Sequence, residues 1–159
     1  QVVNYAIAFG MRVIAWSHNL KQEDCIKVGI EYVNSNDLFK MSDILTIHTR
    51  LSDRTRGYID KENLKLMKKN SVIVNTSRGP IIKEKDLIDA LNNDVISCAA
   101  LDVYDREPLP RDHILRKTKN LILTPHIGYV SDEAYKKFFN GYLDAINAFI
   151  NKKPINQIF

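Results

Sequence analysis

The sequence predicts an α/β fold, a doubly wound parallel sheet, and three observations lead there. Apolar runs such as Met11 to Trp16, Asp43 to His48, Ser71 to Asn75 and Ile96 to Val103 alternate with stretches of helical periodicity. Most residues in these runs are apolar in succession, the pattern of parallel strands covered on both faces. Three runs also finish in charged, turn-forming loops: Asn75-Thr76-Ser77-Arg78-Gly79-Pro80, Leu101-Asp102-Val103-Tyr104-Asp105-Arg106-Glu107-Pro108, and Thr124-Pro125-His126-Ile127-Gly128. In an open α/β sheet, the carboxyl edge formed by such loops is where ligands bind.

Taken in order, residues 1–9 read as the end of a helix, with Val2, Val3, Ala6, Ile7 and Phe9 on one side. Met11 to Trp16 is a strand, and a polar helical stretch runs from Gln22 to Val28. Glu31 to Val33 makes a short strand, after which Ser35 is expected to cap a helix through Met41. Asp43 to His48 is a strand, and Asp60 caps a helix near Lys61 to Met67. Ser71 to Asn75 is a strand, Lys83 to Asn92 a helix, Ile96 to Val103 a strand, and Leu121 to Leu123 a short one. The last helix, about Ser131 to Asn151, repeats Ala134, Phe138, Tyr142, Ala145, Ile146 and Phe149 at helical intervals. Two domains are expected, 1–130 with the sheet and 131–159 with the last helix and its tail, Pro154 to Phe159.

Composition narrows the function. The chain has 159 residues, 45% hydrophobic and 26% charged, enough for one domain with a core. The net charge of +4 comes from lysines scattered along helical surfaces among acidic residues, a solvated face rather than a nucleic-acid footprint. Cys25 and Cys98 lie in unrelated contexts, so neither a zinc site nor a redox pair is expected. Two unpaired thiols fit a reducing compartment, and a cytoplasmic location is expected. No run approaches the roughly 20 apolar residues of a membrane span, and the opening residues lack a signal-peptide pattern.

The loop residues form a chemical set. An arginine can hold a carboxylate, a histidine can move a proton, and a glutamate can hold the histidine. Singly, each has a plainer reading: His126 could cap a strand, Arg78 could sit in a surface turn, and Glu107 could close a loop before Pro108. Three such loops at the ends of three strands favour the chemical reading. His48 reads as a cleft wall and His113 as loop surface, while packing is the expected role of Tyr129 and Tyr135.

On five motifs, the chain resembles the nucleotide-binding domain of the D-isomer-specific 2-hydroxyacid dehydrogenases. They are Ala8-Phe9-Gly10-Met11-Arg12-Val13, Asp53-Arg54-Thr55-Arg56-Gly57-Tyr58-Ile59, Asn75 to Pro80, Ala100 to Pro108 and Thr124 to Gly128. The resemblance covers essentially the whole chain and implies a Rossmann-type fold, NAD or NADP as cofactor, a small 2-oxo or 2-hydroxy acid as substrate, and a homodimer at full length. It implies that Arg78 grips the substrate carboxylate through forked hydrogen bonds. His126 would be the acid-base residue and Glu107 its orienting partner. Asp102 would accept from the nicotinamide carboxamide. Ser17, His18, Thr49, the Thr76-Ser77-Arg78 segment, His126 and the backbone around Gly128 would line the cofactor cleft.

The chain departs from the family pattern in three places. No Gly-x-Gly-x-x-Gly occurs; in the family this loop precedes the helix matched by residues 1–9. The chain is therefore expected to be a fragment that lacks its first strand and phosphate loop, is poorly stable and is inactive alone. Ser17 stands where the NAD-preferring pattern has an acidic residue, which leaves NADP open, with His18 or Lys21 as contacts. Arg50 stands where many members have proline. A non-enzymatic, dinucleotide-sensing corepressor on the same scaffold is the alternative of a different class, and a degenerate inactive fragment a third. A formate dehydrogenase is disfavoured because its pattern has glutamine at the position of Glu107.

Overall fold

The computed structural model describes residues 1–157. The chain divides into two compact units, Gln1–Pro125 and His126–Phe159. The first unit runs α1 (Val2–Ala8), β1 (Ile14–Ala15), α2 (Gln22–Lys27), β2 (Glu31–Tyr32), α3 (Ser35–Met41), β3 (Ile44–Ile47), α4 (Lys61–Leu66), β4 (Val72–Asn75), α5 (Glu84–Asn92), β5 (Cys98–Leu101) and β6 (Leu121–Leu123). Short 3-10 helices at Gly79–Ile81 and Ile114–Lys117 complete it. The second unit is built on α6 (Asp132–Ile150).

All the strands pair in parallel, as the sequence pattern required. β3-β4-β5-β6 form one sheet, and β1 pairs with β2 in a second, two-stranded one. The register sets Ile47 beside Asn75 and Asn75 beside Leu101, so β3, β4 and β5 end level with one another. Their following loops therefore emerge together at one edge. That is the edge the sequence reading picked out for chemistry.

Within the first unit the two faces are covered unevenly, most of all on the edge strands. Along β3, Leu45 and Ile47 are buried while Ile44 is 53% exposed, and on β6 Ile122 is 64% exposed. The buried positions Leu45, Ile47, Ile73, Ala99 and Leu101 share one core with Phe39 of α3, Leu64 of α4, and Leu87, Ile88 and Leu91 of α5. Three helices thus cover one face, and α1 has no buried residue. An apolar succession along a strand does not reveal which of its two faces receives a helix.

Side-chain caps start α3, α4 and α6. Asp60 begins α4 by accepting from the N–H groups of Glu62 and Asn63, at 3.0 and 3.3 Å. Lys83 lies 3.3 Å from the same carboxylate. Burial opposes the charge of Asp60, but the hydrogen bonds from Asn63, Lys83 and Glu62 outweigh it and hold the carboxyl below its ordinary range. The cap of α3 is Asn34 rather than Ser35: Asn34 accepts from the Asp37 N–H at 2.9 Å. The Ser35 hydroxyl is engaged elsewhere, 2.6 Å from the Tyr58 hydroxyl. The expected strand from Met11 to Trp16 contracts to Ile14–Ala15, because β2 offers only two residues to pair with. In the second unit, Ser131 caps α6 through the Ala134 N–H at 3.2 Å.

Candidate active site

Asn75 organises the loops after β4 and β5. Fully buried at the last position of β4, it turns its side chain into the following bend. Its carboxamide oxygen accepts from the Ser77 N–H at 3.0 Å, and its NH2 donates to the Arg78 carbonyl at 2.9 Å. Its own carbonyl accepts from the Asp102 N–H at 3.0 Å. Asn75 thus holds both loops, its side-chain amide the backbone that carries Arg78 and its main-chain carbonyl the backbone of Asp102 beyond the neighbouring strand. The Ser77 hydroxyl donates to the Thr49 carbonyl, tying the loop after β3 into the same edge.

Arg78 itself is exposed, and its guanidinium donates to the Ser77 carbonyl at 2.6 Å. Next to it, Gly79 lies against the Tyr104–Asp105 backbone. A Cβ on Gly79 would fall 2.2 Å from the Tyr104 carbonyl carbon, so only glycine lets the two loops approach this closely.

The loop after β5 is equally anchored. Asp102 is 5% exposed and accepts from the Thr124 hydroxyl at 2.5 Å. The Tyr104 N–H donates to a Glu107 carboxylate oxygen at 2.9 Å. Its hydroxyl reaches the carbonyls of Leu101 and Thr124, at 3.2 and 2.7 Å. Burial, then the nearby Asp102 charge, push the Tyr104 phenol above its ordinary range, so it serves as a neutral donor. Sequence reading gave Tyr104 and Asn75 no role of their own. The available signal was a polar residue ending an apolar strand, followed by Ser two positions on, an arrangement that suits an Asx turn.

At the end of β1, Ser17 is half-buried and His18 exposed. Trp16 and Tyr58 stack with ring centroids 5.3 Å apart, and the His18 ring lies 4.9 Å from Trp16 and 5.5 Å from Tyr58. His48 is exposed and 3.0 Å from the Thr46 hydroxyl. His113 is not loop surface as expected. It caps the 3-10 helix Ile114–Lys117 by accepting from the Leu115 N–H at 3.4 Å, and its other ring nitrogen lies 3.5 Å from Glu84.

Thus Ser17, His18, Thr49, Thr76, Ser77, Arg78, Asp102 and Glu107 belong to the first unit, and His126 and Gly128 open the second. His126 takes a left-handed backbone, φ 56°, and its ring meets Tyr129 edge-on at 5.9 Å. Tyr129 packs edge-on against Phe138 as well, at 6.3 Å, while remaining 55% exposed, and Tyr135 is 60% exposed. Among the described residues, no group of His, Cys, Asp and Glu could hold a metal ion, and no helix is long and apolar enough to cross a membrane.

Comparison with known proteins decides the family. Residues 1–128 match the model of the D-isomer specific 2-hydroxyacid dehydrogenase NAD-binding domain. The chain belongs to this family. Among similar D-2-hydroxyacid dehydrogenase relatives, a hydroxypyruvate reductase from Blautia hydrogenotrophica is 36% identical over 157 residues, covering 96% of this chain and 47% of the relative. A glyoxylate reductase from Aeropyrum pernix is 44% identical over 133 residues, covering 84% and 40%. A D-lactate dehydrogenase from Aquifex aeolicus, solved with NAD and lactic acid, superposes with a TM-score of 0.83 at 28% identity, covering 96% of this chain and 50% of that one. The chain spans about half, or less, of the length of these dehydrogenases. Their Rossmann-type architecture agrees with the parallel sheet described above.

Proposed function

We propose that this chain is the dinucleotide-binding part of an NAD(P)-dependent D-2-hydroxyacid dehydrogenase that reduces a small 2-oxo acid such as glyoxylate, hydroxypyruvate or phosphohydroxypyruvate. The observation that carries the reading is the double role of Asn75, which fixes the Arg78 loop and the Asp102 backbone side by side. Family membership and the relatives' printed activities support it.

The residues fit the nicotinamide end of the cofactor. A buried Asp102 carboxylate at the sheet's carboxyl edge suits the donor NH2 of a carboxamide, with Thr49, Thr76 and Ser77 beside it. When bound, the nicotinamide supplies the hydride that reduces C2 of the acid. Arg78 forks onto the substrate carboxylate, and a guanidinium suits that task better than an ammonium because its geometry is bidentate. His126 gives its proton to the oxygen on C2 and takes it back in the reverse direction. Glu107 orients that imidazole and favours its charged form. Gly128 lends backbone to the cleft. At the ribose end, Ser17-His18-Asn19 holds no carboxylate to repel a 2′-phosphate, so NADPH is accepted along with NADH, with His18 and Lys21 as its contacts. The assembled protein is a cytoplasmic homodimer.

The test is dinucleotide absorbance in the complete polypeptide, with NADH and NADPH against a panel of 2-oxo acids. His126→Ala should lower kcat by about 10²–10⁴-fold. Arg78→Lys should raise KM for the acid about tenfold or more, with dinucleotide affinity unchanged. Tight dinucleotide binding without turnover on any acid would replace this reading with a dinucleotide-sensing corepressor.

A further inference from the structure

Trp16, His18 and Tyr58 form an aromatic cluster at the end of β1, wholly within the first unit. Trp16 and Tyr58 stack with their planes 15° apart and their centroids at 5.3 Å. The His18 ring meets both, tilted against Trp16 at 4.9 Å and edge-on to Tyr58 at 5.5 Å. Trp16 and Tyr58 are half-buried, whereas His18 is exposed. Among the described residues, neither ring nitrogen of His18 hydrogen-bonds to the protein. Two aromatic contacts thus hold this imidazole while both of its polar atoms stay available to a ligand.

Tyr58 is the anchored member of the cluster. It lies in the loop between β3 and α4, and both of its chain neighbours bind the segment after β4. The Gly57 N–H donates to the Pro80 carbonyl at 2.7 Å and the Ile59 N–H to the Ile81 carbonyl at 3.0 Å. The Tyr58 hydroxyl is 2.6 Å from that of Ser35, the first residue of α3. By contrast, β1 is two residues long and neither is buried, so the Ser17-His18 turn gains little order from its own strand. We propose that Tyr58 is a positioning residue for the ribose end of the cofactor: its ring clamps Trp16 and His18 and so aims the His18 imidazole at a ribose 2′-phosphate. A hydrogen bond from an imidazole to a phosphate oxygen is charge-assisted and directional, and a swinging ring would lose part of it to ordering. Cofactor choice is then set partly from the β3–α4 loop, outside the turn that touches the ribose. This rests on the reading that Ser17-His18-Asn19 accepts NADPH.

Calorimetric titration of the complete polypeptide with NADPH and with NADH gives a ratio of Kd values. Tyr58→Leu, which removes the ring, should move that ratio about fivefold against NADPH, and Tyr58→Phe, which keeps the stack, should hold it near wild type. Trp16→Leu, which takes away the other ring beside the imidazole, should match Tyr58→Leu. His18→Ala should move the ratio about tenfold, and Tyr58→Leu added to it should move it no further. An unchanged ratio in Tyr58→Leu, equal weakening of both dinucleotides, or additive shifts in the double variant would overturn the proposal. Nitrogen-15 resonances of the His18 ring give a second readout, with adenosine 2′-phosphate as the probe. They should move on titration in wild type and Tyr58→Phe, and much less in Tyr58→Leu; equal movement in all three would count against the positioning role. A wild-type ratio in His18→Ala would remove the ribose-end reading and the proposal with it. Binding is measured without turnover, so a protein that binds both dinucleotides but reduces no acid would sink the dehydrogenase reading alone.

Discussion

Single residues carry most of the site's precision, and Gly79 shows how. Its hydrogen stands where any larger group would collide with the Tyr104 carbonyl, with oxygen 2.5 Å and carbon 2.2 Å from an added Cβ. Backbone on the far side cannot yield as a flexible side chain can. Gly79→Ala should therefore cost about 3 kcal/mol or more, by separation of the two loops, and urea unfolding would measure it. An equal stability for the variant would mean that the loops do not abut. The sequence showed that Arg78, Asp102 and Glu107 lie at or beyond strand ends, because charged turn formers after apolar runs are visible in one dimension. It did not show Asn75 and Tyr104 as anchors or His113 as a cap, since those roles depend on what a neighbouring strand or helix presents across the gap.

Elements were legible wherever a local cap or a long period defined them. Asp60 before α4 acts as read, because a capping oxygen needs only the next three residues to work, and α6 begins where its period indicated, just after Ser131. The start of α3 was misplaced by one residue: Asn34 and Ser35 are both competent caps, and a contact to Tyr58, far along the chain, draws Ser35 away. The two 3-10 helices went unread because single turns have no periodicity. The Asp60 cap also carries a pH signature. Its carboxyl is held below the ordinary range when folded, so its contribution is present above the unfolded pKa and is lost as pH falls through the folded one. Asp60→Ala should cost about 1 kcal/mol at pH 7. The gap from wild type should narrow as pH drops below about 4, as urea midpoints across that range would show.

Across the whole molecule, parallel pairing was legible from alternating runs and helices, whereas the uneven covering of the sheet was not. Ile73 and Ala99, both fully buried, lie on the two central strands of the four-stranded sheet, while β1 and β2 hold two residues each and none of them is buried. Local stability should follow that contrast. Native-state hydrogen exchange should be slowest in β4 and β5 and much faster in β1 and β2. Uniform protection across both sheets would contradict it. The position of Asn75, holding one loop by its side chain and the other by its main chain, has a further consequence for how variants combine. Since it braces the segment proposed to choose the substrate and the strand end proposed to meet the cofactor, substitutions in the two places are not energetically independent. A double-mutant cycle between Arg78 and Asp102 should show a coupling of about 0.5 kcal/mol or more. Selection for a new acid at one loop would then alter the tolerance for changes at the other, so the order in which such mutations arise would matter.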